Sequence, residues 1–313
     1  MAIPLEPWLD LMREEYLASF IPDGGSAVRF VVAANAGQTE TISARLRELG
    51  QQCGLTVIAI DTATTKLHLL QNLFFAIANS IDWDALTQTQ LQRVVIDSGY
   101  RWPDPGRRTT LAALAEANEV APALLRMQIN QEITRAVWQD AGLAQDFRNA
   151  MIALLATRLA DDQDTLRDAV LGWLKGAPGR LGPARDAQIG TKIGRNNARA
   201  MLKSLCHWLR LCGGTGVLLV IDIRRLLRER RDVQDGHTYS PAAVMDCYEV
   251  LRQMIDDASH LEGFFLAVLA DPPLLADDVR RSLNQYTALK MRVWDDVRPE
   301  HGDNPLAALV QVL

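Results

Sequence analysis

The chain has 313 residues, enough for a large core in one or two domains, and 48% of them are hydrophobic. The mean hydropathy of −0.03 is that of an ordinary soluble globular protein, and no stretch approaches the length of a membrane-spanning helix. A net charge of −5 excludes a chain that is polybasic throughout, while leaving room for a local basic face.

The first residues, Met1 to Glu6, lack a basic start and a long apolar run, so no signal peptide is expected. Residues 5–20 are expected to be helical, because Trp8, Leu9, Met12, Tyr16, Leu17 and Phe20 recur at three- and four-residue steps. Pro22-Asp23-Gly24-Gly25 breaks that helix, and an apolar strand follows near 27–33. A second helical pattern starts at Thr39, with Ile42, Leu46 and Leu49 on one side and Gly50 at its end. A second strand is expected at 55–60. Strand, loop, helix and strand in that order predict a parallel pair in an α/β fold.

From about 67 to 174 no strand pattern is visible, and the segment is expected to be a helical insertion broken near Pro122, Gly142 and Asp161-Asp162. A Gly- and Pro-rich stretch, about 175–192, is read as a mobile linker. Between 175 and 199 stand Lys175, Arg180, Arg185, Lys192, Arg195 and Arg199 against the single acid Asp186. A helix follows at about 196–212, with Met201, Leu202, Leu205, Trp208 and Leu209 on its buried face. Strands are then expected at 216–222, 264–270 and 306–312, with a helix over about 241–260 between the first two.

The segment Phe30 to Thr39 lies where a phosphate-binding loop would lie, between an apolar strand and a helix. Such a loop needs glycines, so that backbone N–H groups can wrap phosphates, followed by Lys-Ser/Thr. Here one glycine remains, Gly37, and the lysine position reads Gln38 or Thr39. The strand ending in Asp222 resembles the Walker B element, whose Asp holds the water shell of Mg²⁺ and whose next acid polarises the attacking water. The residues after Asp222 are Ile223, Arg224 and Arg225. The alternative is a buried strand closed by a capping Asp. Asp271, at the end of the following strand, stands where a γ-phosphate sensor would stand, or is an ordinary turn residue.

Arg224, Arg225, Arg228, Arg230 and Arg231 fall within eight residues. They are read as a solvated helix end or as a surface for an acidic partner or a nucleic-acid backbone. Arg280 and Arg281 are candidates to act in trans on a neighbour's nucleotide, or are simply surface residues. The cysteines, Cys53, Cys206, Cys212 and Cys247, form no CxxC pair, and the five histidines lack metal-ligand spacing. Reduced core cysteines, no metal and a cytoplasmic location are expected. Cys206 and His207 are adjacent in a helical pattern and point apart, so no Cys–His pair is expected.

Several blocks resemble the ATP-binding proteins of BREX phage-defence systems, the BrxC/BrxD-like P-loop family. They are Tyr16 to Val32, Thr191 to Leu205, Tyr248 to Asp257 with Leu261-Glu262-Gly263, and Arg280 to Leu289. The similarity runs in order over most of the chain and is thinnest across 85–175. It implies a single P-loop-like domain over 1–313, with a mostly parallel AAA+-like sheet flanked by helices and carrying the large helical insertion. It also implies a strand order in which the fourth strand separates the first from the third. The family's Gly-x-Gly-Lys-Ser/Thr is replaced here by Ala36-Gly37-Gln38-Thr39-Glu40, and its Walker B Asp-Glu by Asp222-Ile223. The C-terminal lid that follows the last strand in family members is expected to be absent.

The resulting expectation is a non-catalytic pseudo-ATPase subunit of an anti-phage defence system. Its partners would be other defence-system proteins, a second copy of itself, or DNA, and not a membrane. The alternatives are a weak ATP- or ADP-binding switch and a DNA-binding accessory protein. No cofactor is expected, and ATP or ADP with Mg²⁺ would bind only weakly.

Overall fold

The computed structural model describes residues 2–35, 37–103, 109–160, 164–177, 182–229, 234–294 and 304–313. The chain divides into two units, one comprising 1–77 with 214–313 and the other 78–213.

The first unit is built on a five-stranded sheet: β1 (Ser26–Ala33), β2 (Thr56–Asp61), β3 (Val217–Asp222), β4 (Phe264–Ala270) and β5 (Leu309–Val312). All neighbours are parallel, and the order is β2-β3-β4-β1-β5. The fourth strand therefore lies between the first and third, as expected. Every residue of β4 and all but the last of β3 are buried. This is the continuous apolar pattern of strands covered on both faces. The register aligns Val28 and Leu219 with Leu266, so β1, β4 and β3 end close to one level.

Helix α1 (Leu5–Met12) widens into a π turn over Arg13–Leu17. The helical segment expected over 5–20 is thus helical over 5–17 and ends in a turn at 18–20. The wider turn carries the buried stripe from Trp8 and Met12 to Leu17, five residues on, and leaves Phe20 45% exposed. α2 (Thr39–Gln52) runs past Gly50, which lies inside the last turn rather than ending the helix. A Cβ at Gly50 would come within 2.4 Å of Leu218 Cδ2, so glycine is there to let α2 lie close on β3. β5 begins at Leu309, because Asn304 holds a turn by accepting the N–H groups of Leu306 (3.0 Å) and Ala307 (3.0 Å). The outer edge of β5 is paired in turn by Ile3, whose N–H donates to Gln311 O (2.9 Å).

α3 (Leu70–Asn79) leads into the second unit. That unit holds α4 (Trp83–Asp97), α5 (Leu111–Ala117), α6 (Pro122–Trp138), α7 (Gln145–Arg158), α8 (Asp164–Leu174) and α9 (Ala198–Leu211). Among its described residues there is no strand. Leu91, Val95, Ile129, Ile133, Phe147 and Leu155 are buried in its core. Met201, Leu202, Leu205, Trp208 and Leu209 of α9 are all buried, as their spacing predicts. The described part of 175–192 is tied down. Ala184 and Ile189 are buried, Asn149 donates to Gln188 O (2.8 Å), and Asp146 accepts the N–H groups of Gly190 (3.2 Å) and Thr191 (3.1 Å).

Back in the first unit, β3 leads into α10 (Arg224–Leu227) and then α11 (Pro241–Asp257), and α12 (Thr287–Val293) follows β4. An ion network fastens α11 to α12. Arg252 donates to both oxygens of Glu249 (2.7 and 2.6 Å), Tyr286 and Gln253 donate to the same carboxylate, and Arg292 bonds to Asp256. The bond from Arg252, helped by those from Tyr286 and Gln253, pulls the Glu249 carboxyl down to about 2. A carboxylate held below its ordinary value stabilises the fold fully above that value and loses this contribution as the pH falls toward the folded one. Glu249 should therefore contribute at neutral pH and stop contributing between about 4.5 and about 2. Because the group is one-third exposed, solvent screening limits the effect to about 1 kcal/mol. Glu249→Gln should lower the melting temperature at pH 7 and leave it unchanged near pH 2. Equal shifts at both pH values would show that Glu249 acts through packing instead.

Candidate functional site

β1 ends at Ala33 and α2 begins at Thr39, so a short loop turns strand into helix at the C-terminal edge of the sheet. Gly37 has a φ of +91°, the left-handed region that glycine enters without steric cost. The Asn35 N–H donates to Gln38 Oε1 (3.3 Å), and the Ala34 N–H donates to Val312 O (2.7 Å). Gln38 directly precedes the helix and carries no charge. Thr39, its first residue, is buried and donates its hydroxyl to Asp271 Oδ1 (2.6 Å). The loop after β1 is thereby fastened to the end of β4.

The end of β3 is closed by an arginine. Arg224 Nε and Nη2 donate to Asp222 Oδ2 (2.9 and 2.7 Å), and its backbone N–H donates to Asp222 Oδ1 (2.9 Å). Arg224 Nη2 also reaches Glu40 Oε1 (3.4 Å). Side-chain exposure is 20% for Arg224 and 17% for Asp222, so the pair is largely shielded from solvent. The bond to Asp222 raises the affinity of the guanidinium for its proton above the ordinary arginine value. Ile223, in the place of a second acid, is fully buried. The Arg224 guanidinium thus bonds to Asp222 and Glu40, while Asp271, bonded to Thr39, acts on it only through its charge. Among the described residues, no three His, Cys, Asp or Glu side chains converge as a metal centre requires.

Three arginines of the cluster read from the sequence lie among the described residues, and their surroundings differ. Arg224 turns inward onto Asp222, because a carboxylate two residues away at a strand end is a nearer partner than solvent. Arg225 is half-buried, Arg228 is exposed, and Arg230 and Arg231 lie outside the described residues. Arg280 is exposed. Arg281 is buried and donates to Leu226 O (3.2 Å). In the second unit Lys175 is half-buried, Arg185, Lys192, Arg195 and Arg199 are exposed, and Arg180 lies outside the described residues.

Two arrangements were invisible in the sequence. His207 Nε2 meets Asp140 at 2.9 Å, although 67 residues separate them and no local spacing marks the pair. Arg29 lies buried in β1 under the ring of Tyr16, 4.4 Å from its centroid, and donates to Val28 O (2.7 Å). The four cysteines are free, and burial pushes the thiols of Cys212 and Cys247 up to about 12, which leaves neither a nucleophile at neutral pH.

A parallel sheet in this order, with a strand–loop–helix unit at its centre, defines an α/β protein of the P-loop NTPase-like class. The model of the family described as BREX system ATP-binding protein BrxC/D matches residues 18–312, and the chain belongs to that family. Its place is therefore in phage defence. No curated protein and no solved structure matches the chain.

The Asp222–Arg224 pair can be tested directly. Arg224→Ala leaves a shielded carboxylate with the backbone N–H bond but without its counter-charge, which should cost about 1–3 kcal/mol and lower the melting temperature by several degrees. Asp222→Asn in the same chain should recover part of the loss, because no uncompensated charge remains. If Arg224→Ala melts like the parent, the pair is screened by solvent and does not hold the strand end.

Proposed function

We propose that this chain is a non-catalytic P-loop-fold subunit of a phage-defence assembly, which acts through association with partner proteins rather than by hydrolysing ATP. The observation that carries this reading is the guanidinium of Arg224 seated on Asp222. In a working site that carboxylate orders the water shell of Mg²⁺; here its hydrogen bonds go to a tethered cation. Two further features agree with it. Gln38 offers no charge to β- and γ-phosphates, and the buried Ile223 cannot polarise a water. The acids left around Arg224 would repel an incoming triphosphate.

The competing reading is nucleotide binding without turnover. The family's description names ATP binding, and the positive φ of Gly37 before the N-terminus of α2 keeps the loop-to-helix shape that phosphates use. Gly37, Thr39 and backbone N–H groups would then hold ADP or ATP weakly.

The purified chain should show no ATP turnover, and it should co-migrate with other proteins of its defence system in size-exclusion chromatography whether or not MgATP is present. Asp222→Ala should leave that co-migration unchanged. Turnover above background that Asp222→Ala abolishes would overturn the proposal. Co-migration that appears only with ATP or ADP would favour the switch.

A further inference from the structure

A cavity of about 520 Å³ in the first unit is lined by Lys66, His68, Thr238, Tyr239, Ser240, Pro241, Ala243 and Arg281. It receives residues that follow β2, the segment leading into α11, and a residue that follows β4. None of Gly37, Gln38, Thr39, Asp222 or Asp271 lines it.

Its charge is one-sided. Lys66, His68 and Arg281 bring two permanent cations and an imidazole to the same space, and no carboxylate lines the wall. Among the described residues none of the three takes part in an ion pair, unlike Arg45, Arg224, Arg252 and Arg292 elsewhere in this unit. Arg281 is the decisive member. It is 8% exposed, and its one side-chain bond runs from Nη1 to Leu226 O (3.2 Å). Its backbone carbonyl accepts the hydroxyl of the buried Tyr248 (2.6 Å), which fixes the residue in place. The other N–H groups of the guanidinium meet no acceptor among the described residues. The open donors of this fixed guanidinium are available to an anion in the cavity it lines.

The cavity floor adds to the same polarity. α11 runs for 17 residues and starts there, with Ser240 as N-cap and Pro241 in its first turn. The Ser240 hydroxyl already accepts the Ala243 N–H (3.2 Å), so the cap is formed and the positive end of the helix faces the space. The Tyr239 hydroxyl lies 2.8 Å from both Thr62 O and Thr65 O and shares its one proton between these carbonyls, so the wall is pre-set rather than formed on binding. A planar guanidinium, an ammonium and a helix N-terminus together form the donor set that recognises a phosphate group. The volume suits a small phosphorylated molecule better than a lone ion.

We propose that this cavity binds the phosphate of a small phosphorylated ligand, with Arg281 and Lys66 as its principal contacts. The site is separate from the Gly37–Thr39 loop and does not depend on whether that loop binds nucleotide.

Titration calorimetry of the full chain with pyrophosphate, ADP and a single-stranded oligonucleotide tests this. Pyrophosphate or ADP should bind, and Lys66→Glu, at an exposed position, should weaken that binding about tenfold or more. Arg281→Lys keeps the charge but loses the planar fork and should weaken it by a comparable factor; its melting curve reports whether the fold has survived. Loss of binding in Thr39→Ala but not in Lys66→Glu would place the ligand at the other loop and overturn the proposal. So would binding of the oligonucleotide alone, or no binding of any of the three probes.

Discussion

Burial on both faces of β1, β4 and β3 is the constraint on which the rest of the first unit depends. A strand with no solvent-facing side cannot carry charge along its length without a cost of several kcal/mol per unpaired ion. Its polar residues are therefore pushed to the ends. Asp222 closes β3 and Asp271 follows β4, and the shared register brings both to the edge where the loop after β1 turns into α2. Arg29 is the exception inside the sheet. It is accommodated by the face of Tyr16 and by bonds to that residue's hydroxyl and to Val28 O, while burial lowers its hold on its proton.

Polar side chains from separate elements meet at that edge. Thr39 bonds to Asp271 and so ties the start of α2 to the end of β4, and Arg224 bonds to Asp222 and reaches Glu40, which ties the end of β3 to α2. A lysine donated by the loop would bring a mobile cation and leave the carboxylates for water and metal. Here Arg224, two residues beyond the strand end and at the start of α10, brings a tethered cation to Asp222. The fold is α/β and P-loop NTPase-like, and at this edge of its sheet Asp222 is paired with Arg224. Elsewhere in the same unit Lys66, His68 and Arg281 line one cavity whose wall carries no acid.

The parallel α/β fold was legible because its signals are local. Runs such as Val217–Ile221 and Phe264–Ala270 are too apolar to lie anywhere but inside a sheet, and the helices between parallel strands follow from chain connectivity. The amphipathic face of α9 was legible for the same reason, residue by residue. Element ends were less so. Hydrophobic spacing cannot show that α1 widens into a π turn, or that Gly50 is a contact point against Leu218 and not a stop signal.

The candidate site divides along the same line. The order of residues alone determined that Gln38 stands in the lysine position or beside it, that Ile223 follows Asp222, and that arginines crowd 224–231. Composition and position along the chain need no coordinates. Only the tertiary structure decided that Arg224 turns onto Asp222 and Glu40, that Thr39 meets Asp271, that Arg281 is buried, and that Lys66 and His68 share a cavity with it. Each of these joins side chains whose strands are neighbours in the sheet but distant along the chain, or settles which way a long flexible side chain turns. The balance of desolvation against ion pairing that settles it exists only once the surrounding groups have been packed together.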